Sequence, residues 1–593
     1  MMFTIDILTV LLLAWFVLAH DFDYIVVGGG TTGIPLAVRL AEHWNVALVE
    51  AGGRYEKRYP LAKTPGANVL PVGSDPETSS PIDWGFVTEP FPGANGRRLH
   101  VAQGKCLGGT PTEESMVVWL LLTDDLSYGW VNVLPFYQRS VEFTPPNTET
   151  RFENANVLYN AAAFLPSGGP LQVTYPNYAQ SFSTWLEDGF EEVGIPQAVD
   201  FNSGKLEGYQ YCSSTIRPSN QHRSSFKSSF LAQPVPSLTV YTDTLAKRVI
   251  FDEDLNAVQV EVNHREFERN LTASREIIIS AGAFHSPQLL MVPGIGPRQH
   301  LEDHGIEVLV ERPAVGQDMW DHPVFGPSYR VNVETLTRLA NSPTYFASQY
   351  LRWATKQLGP FKNSVSDLLA WEKIPDELRR VFSPETLQAL SQFPDDWPEV
   401  EYISAPGFLG NISNLKADQP DDGCQYASII GVLVAPTSRG TVTLRTADTA
   451  DLPLINLNLL DTKSDQEVVM AMFKRMREIL ASQAMEPVVI GDEYFPGSHI
   501  QTDEEILEYI RENVMTLWHP SGTCRTGRIQ DRAVVDSRAR VYGVNRLRVV
   551  DASAFAILPP GHPQSTCYML AEKIADDIIQ NGAGVGEDAR ADL

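Results

Sequence analysis

Cysteine is scarce in this chain: five among 593 residues, at Cys106, Cys212, Cys424, Cys524 and Cys567. A small, odd number excludes a disulfide scaffold and leaves room for at most two bridges and one thiol. None stands in a CxxC pair, so no zinc site and no other metal is expected. Positive charge is short as well, with Lys+Arg 46 against Asp+Glu 73 and a net charge of -27. That balance excludes a nucleic-acid backbone binder and argues against docking on anionic lipid. Acidity of this size favours solubility and says little about fold. Long apolar runs are missing beyond the first twenty residues, where IDILTVLLLAWFVLA covers residues 5–19. That run is too short for a comfortable membrane span. Val17 and Ala19 put small residues at the -3 and -1 positions of a cleavage site. Residues 1–19 are therefore read as a cleaved signal peptide, although no Lys or Arg precedes the run; a retained anchor is the rival reading. The expected destination is the secretory pathway, ending outside the cell or in a vacuole-like compartment. Two sequons, Asn270-Leu271-Thr272 and Asn411-Ile412-Ser413, are candidate glycosylation sites.

What is present is a large globular composition, 43% hydrophobic and 20% charged, enough for more than one core. The segment DFDYIVV, residues 21–27, is a β-branched apolar run and predicts a buried strand. It leads into Gly28-Gly29-Gly30-Thr31-Thr32-Gly33, then an amphipathic helix carrying Leu36, Leu40 and Ala41, then a short apolar strand ending at Glu50. The chemistry of that order is specific. Gly28 permits a tight turn, Gly30 lets the backbone approach a pyrophosphate, and Gly33 lets helix and strand pack closely. Thr31 and Thr32 open the helix, whose free N–H groups and positive dipole end favour phosphates. Glu50, 22 residues after Gly28, is placed to accept hydrogen bonds from an adenosine ribose. A carboxylate there favours FAD or NAD over NADP. The bland alternative is a glycine-rich packing turn.

Further along, GKCLGGT at residues 104–110 offers a second close backbone approach to a ligand. Residues 238–251 and 257–262 predict strands, and EIIIS at 276–280 a buried strand with Ala281-Gly282-Ala283 at its carboxyl end. Residues 333–406 carry long helical patterns. Residues 428–434 and 440–445 predict strands of a sheet with one wet face. Amphipathic helices are expected over 464–482 and 502–514, and a last strand at 547–551 leads to a helix at 568–580. No internal repeat or low-complexity segment is visible.

Six blocks, taken in order, resemble the glucose-methanol-choline (GMC) oxidoreductases, FAD-dependent enzymes that oxidise alcohols. They are the Gly28 loop with Glu50, GKCLGG from Gly104, SAGAFHSPQLLMVPGIGP from Ser280, VGQDMWDHP from Val315, SRGTVTL from Ser438, and WHPSGTCRTG with VYGVNRLRVVDAS and GHPQS near the end. The resemblance covers about residues 22–580. It implies an α/β fold, α+β overall: a Rossmann-like FAD-binding domain with an interleaved substrate domain built on an antiparallel sheet with helices. The FAD-binding domain would take residues 21–150, 225–325 and 510–585, and the substrate domain 151–224 and 326–509.

The resemblance also assigns roles. His519 and His562, 43 residues apart and each followed by Pro, match the two positions that face the flavin ring. Alcohol oxidation needs a base for the hydroxyl proton and a hydride acceptor for the carbinol hydrogen; an imidazole suits the first task and flavin N5 the second. His519 is expected as the base and His562 as the group that orients the hydroxyl or shares its proton. Asp551 and Ala552 match the position whose backbone contacts the pyrophosphate and ribityl chain, Gly108 and Gly109 the second glycine loop, and Ala246 an adenine contact. Trp518 either walls the flavin site or packs in the core. Asp321-His322 is expected to end a domain connection, with His322 structural. No His stands where covalently flavinylated relatives place one, so the FAD should be noncovalent.

The second block departs from the family after Gly109. Thr110-Pro111-Thr112-Glu113-Glu114 replaces Ser-Ser and a later Asn, with Glu114 in the place of the Asn. A carboxylate there would repel phosphate, and Pro111 removes a backbone donor. Pro293 also replaces the usual Ser. The first expectation is oxidation of a small aromatic, allylic or secondary-metabolite alcohol, since Val514, Met515, Leu517 and Trp518 make the approach to His519 apolar. O₂ or a quinone would take the electrons. A second reading keeps the fold and runs a non-redox acid–base reaction such as isomerisation, dehydration or cyclisation; a third is a ligand-binding relative without turnover.

Overall fold

The computed structural model describes residues 21–67, 72–108, 123 and 125–581. The expected signal peptide, Gly109, Pro111 and Glu114 lie outside the described residues.

Two sheets organise the molecule. In the first, Phe22–Val27 lies parallel between Val46–Val49 and the long strand Phe267–Ile279, with Leu238–Tyr241 beyond Val46–Val49. Leu547–Val549 pairs parallel with the end of Phe267–Ile279. The start of that same strand instead pairs antiparallel with Ala257–His264, which pairs with Thr244–Phe251. The central strands are buried on both faces, which is why they read as continuous β-branched runs without alternation. Helix Gly33–Ala41 packs on one face together with Gln564–Asn581. Arg39 of the first reaches Glu572 of the second at 2.9 Å.

The carboxyl ends of the parallel strands are in line. The Gly28 N–H donates to Val49 O at 2.7 Å, the Ser280 N–H to Val27 O at 2.6 Å and the Val550 N–H to Ile279 O at 2.8 Å. Ligands bind at such an edge in open α/β sheets. The glycine spacing follows from the packing there. A Cβ on Gly28, whose φ is +110°, would lie 2.1 Å from Ser280 O, and one on Gly33 would lie 2.0 Å from Gly28 O.

The second sheet is antiparallel, in the order Val489–Phe495, Ser328–Val331, Gln425–Leu433, Val400–Ala405, Leu368–Glu372, Gly208–Tyr211. Pro323–Phe325 and Met515–Thr516 pair at its side, although the sequence division placed both with the nucleotide segments. Gln425–Leu433 is central and buried on both faces, so the wet face expected over 428–434 is not found. Helix Lys463–Leu480 covers one side and a separate apolar cluster with Leu369, Ile403 and Val432 occupies the other. Thr441–Thr443, expected in the same sheet, forms its own ladder with Leu454–Asn456. The region 333–406 holds helices such as Pro343–Lys356, but also two sheet strands, Leu368–Glu372 and Val400–Ala405. Both strands are too buried to show alternation, and that hid them in the sequence.

Among the described residues no disulfide joins any of the five cysteines. Among the described residues no helix is long and apolar enough to cross a membrane, and no His, Cys, Asp and Glu cluster could hold a metal ion. Asn270 and Asn411 are exposed.

Candidate active site

The loops at the carboxyl edge of the first sheet line a cavity. Gly28, Gly30, Thr31, Thr32, Glu50, Ala246, Asp551, Ala552 and His519 all line it, so most of the sequence-selected residues meet in one place. Gly33 stays behind the wall in helix packing. Gly108 ties the two glycine loops together, its N–H donating to Gly29 O at 2.8 Å.

The cavity has the chemistry of a dinucleotide site. Helix Gly33–Ala41 has no acid in its first turn, and Thr32 at its N-cap makes no side-chain cap bond, so backbone N–H groups remain for an anion. A Cβ at Gly30 would meet nothing within 4 Å, and the same is true at Gly282; backbone there faces open space rather than packed atoms. Glu50 is held by two donors, the Gly29 N–H at 2.8 Å and the Gly52 N–H at 2.6 Å. Burial raises its pKa, and those two bonds oppose the rise. The Asp551 side chain is spent on structure. Its Oδ2 accepts from the Gly282 N–H at 2.9 Å and from the Ser286 hydroxyl at 2.5 Å, and its Oδ1 from the Ser553 N–H at 2.8 Å. A ligand there is met by backbone, as the sequence resemblance implies. The residues present therefore fit FAD. Two further lining residues were not singled out: Trp84 and His285, with ring centroids 4.2 Å apart. Burial pushes His285 down to about 4, so it faces the cavity neutral.

A second, larger cavity begins where the first ends. Trp518 and Gln564 line both, His519 lines the first and His562 the second. The two imidazole centroids lie 5.1 Å apart with planes at 81°. The walls of the second cavity are mostly apolar, with Val324, Leu369, Ile403, Leu409, Met515 and Leu517, and its empty volume including the mouth is about 1930 Å³.

Each histidine has a supporting partner: Glu401, which sequence reasoning passed over, and His322, which it read as structural. The His562 Nε2 is 2.9 Å from Oε1 of Glu401, which is fully buried on Val400–Ala405. Glu401 was one acid in a stretch taken for helix, and the only signal was a carboxylate inside the apolar run VEYISA. His519 is 2% exposed, and its backbone N–H donates to Asp321 Oδ1 at 3.0 Å. Its Nδ1 lies 3.0 Å from Nδ1 of His322. His322, expected at a structural junction, thus sits against the candidate base. The Nε2 of His519 has no partner among the described residues. Burial, then the neighbouring His562 and His322, lowers its pKa well below 6.5, so the ring is neutral at neutral pH and one of its nitrogens carries a free lone pair.

Comparison with known proteins agrees with this geometry. The N-terminal family model described as GMC oxidoreductase matches residues 22–324 and its C-terminal counterpart residues 436–571. Patulin synthase of Aspergillus clavatus is 46% identical over 577 residues, 94% of this chain and 92% of that protein. The solved structure of a formate oxidase covers 95% of this chain and 98% of its own at 26% identity and a TM-score of 0.84. A solved FAD-dependent oxidoreductase from Chaetomium thermophilum shares the fold at 24% identity, a TM-score of 0.81, and coverage of 95% and 99% of the two chains. With both halves of the fold matched and the nucleotide cavity meeting a histidine pair, the chain belongs to the GMC oxidoreductase family: an oxidoreductase with FAD as cofactor.

Proposed function

We propose that this enzyme oxidises a small, largely apolar alcohol, aromatic, allylic or drawn from secondary metabolism, to the carbonyl compound. The observation that carries the reading is the meeting of the nucleotide cavity and the apolar cavity at His519 and His562. Gly28, Gly30, Thr31, Thr32, Glu50, Ala246, Asp551 and Ala552 would hold FAD noncovalently along the first cavity. When bound, FAD supplies the acceptor for the carbinol hydrogen and its two electrons. The protein does the rest. The apolar walls bind the carbon skeleton and exclude water. The hydroxyl proton passes to Nε2 of His519, which burial keeps neutral. His562, its ring fixed by Glu401, holds the hydroxyl oxygen in place. The likeness to patulin synthase over 94% of the chain supports a secondary-metabolite substrate. O₂ or a quinone would reoxidise the cofactor. Residues 1–19 and the exposed Asn270 and Asn411 support a secretory route with glycosylation.

Comparison of benzylic and allylic alcohols with glucose as donors tests the substrate class. The expected kcat/KM for benzyl or cinnamyl alcohol exceeds that for glucose by at least about 100-fold. Each added methylene that the cavity buries raises it about fourfold, the equivalent of roughly 0.8 kcal/mol. A preference for glucose, or indifference to chain length, would overturn the apolar-substrate reading.

A further inference from the structure

We propose that His322 is a positioning residue that selects the reactive tautomer of His519. The inference rests on the reading of His519 as the base.

The geometry leaves His322 little other purpose. One carboxylate oxygen, Asp321 Oδ1, accepts the backbone N–H of His322 at 2.8 Å and that of His519 at 3.0 Å, which clamps the two residues together. Thr516 donates its hydroxyl to the other oxygen, and the Leu517 N–H donates to His322 O at 2.9 Å. The two rings then meet at nearly a right angle, 78°, with Nδ1 facing Nδ1 at 3.0 Å. Two imidazole nitrogens at that distance need one donor and one acceptor. If His519 donates, its proton sits on Nδ1 and Nε2 presents a bare lone pair. If His322 donates, His519 is neutral only with its proton on Nε2, and it cannot accept one from an alcohol. The base role therefore requires His322 to be the acceptor.

His322 is suited to that part. It is fully buried, and its own Nε2 has no partner among the described residues, a cost that a purely structural residue would avoid. Burial and the neighbouring His562 push its pKa down to about 3, so at neutral pH it is an uncharged acceptor and not a second cation. The titratable groups around it are Asp321, His519 and His562, with Glu401 acting on the last. When the alcohol proton moves to Nε2 of His519, the imidazolium keeps its Nδ1–H bond to His322, which becomes charge-assisted and stronger. The proton count is unchanged at His322.

The test uses His322→Leu, which removes the acceptor, and His322→Asn, whose amide oxygen can replace it. Both are compared with His519→Gln and the unaltered holoenzyme. The expected result is a kcat about 10- to 100-fold lower for the Leu variant with KM little changed, a smaller loss than removal of the base. Its kcat/KM climbs from pH 8 to pH 10 as the small alkoxide fraction of the substrate rises, where the unaltered enzyme is level; that window lies above the titration of Asp321, which burial raises to about 7. The Asn variant recovers most of the rate and the level profile. Leu and Asn variants that both match the unaltered enzyme, or that are equally impaired, overturn the assignment. A His519→Gln enzyme with full activity overturns the base reading instead. Where either His322 variant loses its flavin, the wild-type holoenzyme labelled with ¹⁵N-histidine decides. A protonated Nδ1 on His519 with coupling across the bond to His322 Nδ1 is expected, and a proton on Nε2 of His519 overturns the proposal.

Discussion

His519→Gln is expected to keep its FAD and lose about 10²- to 10⁴-fold in kcat/KM, the usual worth of a positioned general base. Glutamine is close to histidine in size, and the backbone N–H bond to Asp321 Oδ1 does not depend on the side chain. The fold and the nucleotide cavity should therefore survive. What disappears is the nitrogen that takes the hydroxyl proton, because an amide is not a base near neutral pH. The defect belongs to the chemical step, so the rate of flavin reduction in an anaerobic half-reaction should fall by the same factor while the oxidised spectrum is unchanged. An anaerobic reduction rate equal to that of the unaltered enzyme would remove His519 from the mechanism.

Gly30→Val separates cofactor binding from folding. A Cβ at Gly30 meets nothing within 4 Å, so the valine side chain has room in the protein but fills space that the dinucleotide needs. The expected outcome is a loss of FAD affinity of at least about 100-fold, with the melting temperature of the flavin-free protein within about 2 °C of the unaltered apoprotein, since no packed contact is disturbed. Gly28→Ala should behave in the opposite way. Its φ of +110° and the 2.1 Å approach to Ser280 O put the strain in the fold itself. Flavin-to-protein absorbance ratios and thermal melting of the apoproteins distinguish the two. A fully flavinated Gly30→Val protein would contradict the placement of the cofactor along this loop.

The nucleotide half of the site was legible because its signals are local. Strand, glycine turn, helix and acid fall within residues 22–50, and each has a periodicity or a steric requirement that a short window shows. His519 and His562 were legible only through block resemblance, since no local pattern sets either apart from a turn histidine. Glu401 was passed over and His322 was read as structural, and the reason is physical. Their partners are 161 and 197 residues away in sequence, joined only when the two sheets close around the cavity. The helical reading of 333–406 failed for a related reason. Strands Leu368–Glu372 and Val400–Ala405 have both faces packed, so the alternation that marks a half-exposed strand is absent. The cavity walls come from distant segments too, with Val324, Leu369, Ile403 and Leu517 meeting on one surface. The departure that begins at Thr110 falls largely outside the described residues, and with it Gly109, Pro111 and Glu114.

The most direct measurement is the visible absorbance spectrum of the purified enzyme, followed by anaerobic addition of an aromatic or allylic alcohol. A flavin spectrum that bleaches with the alcohol is the expected result, and readmitted air then shows whether O₂ restores it or a quinone is required. A colourless protein that FAD cannot reconstitute, yet that still turns over a substrate by proton transfer alone, would contradict the redox account and leave the histidine pair to acid–base chemistry.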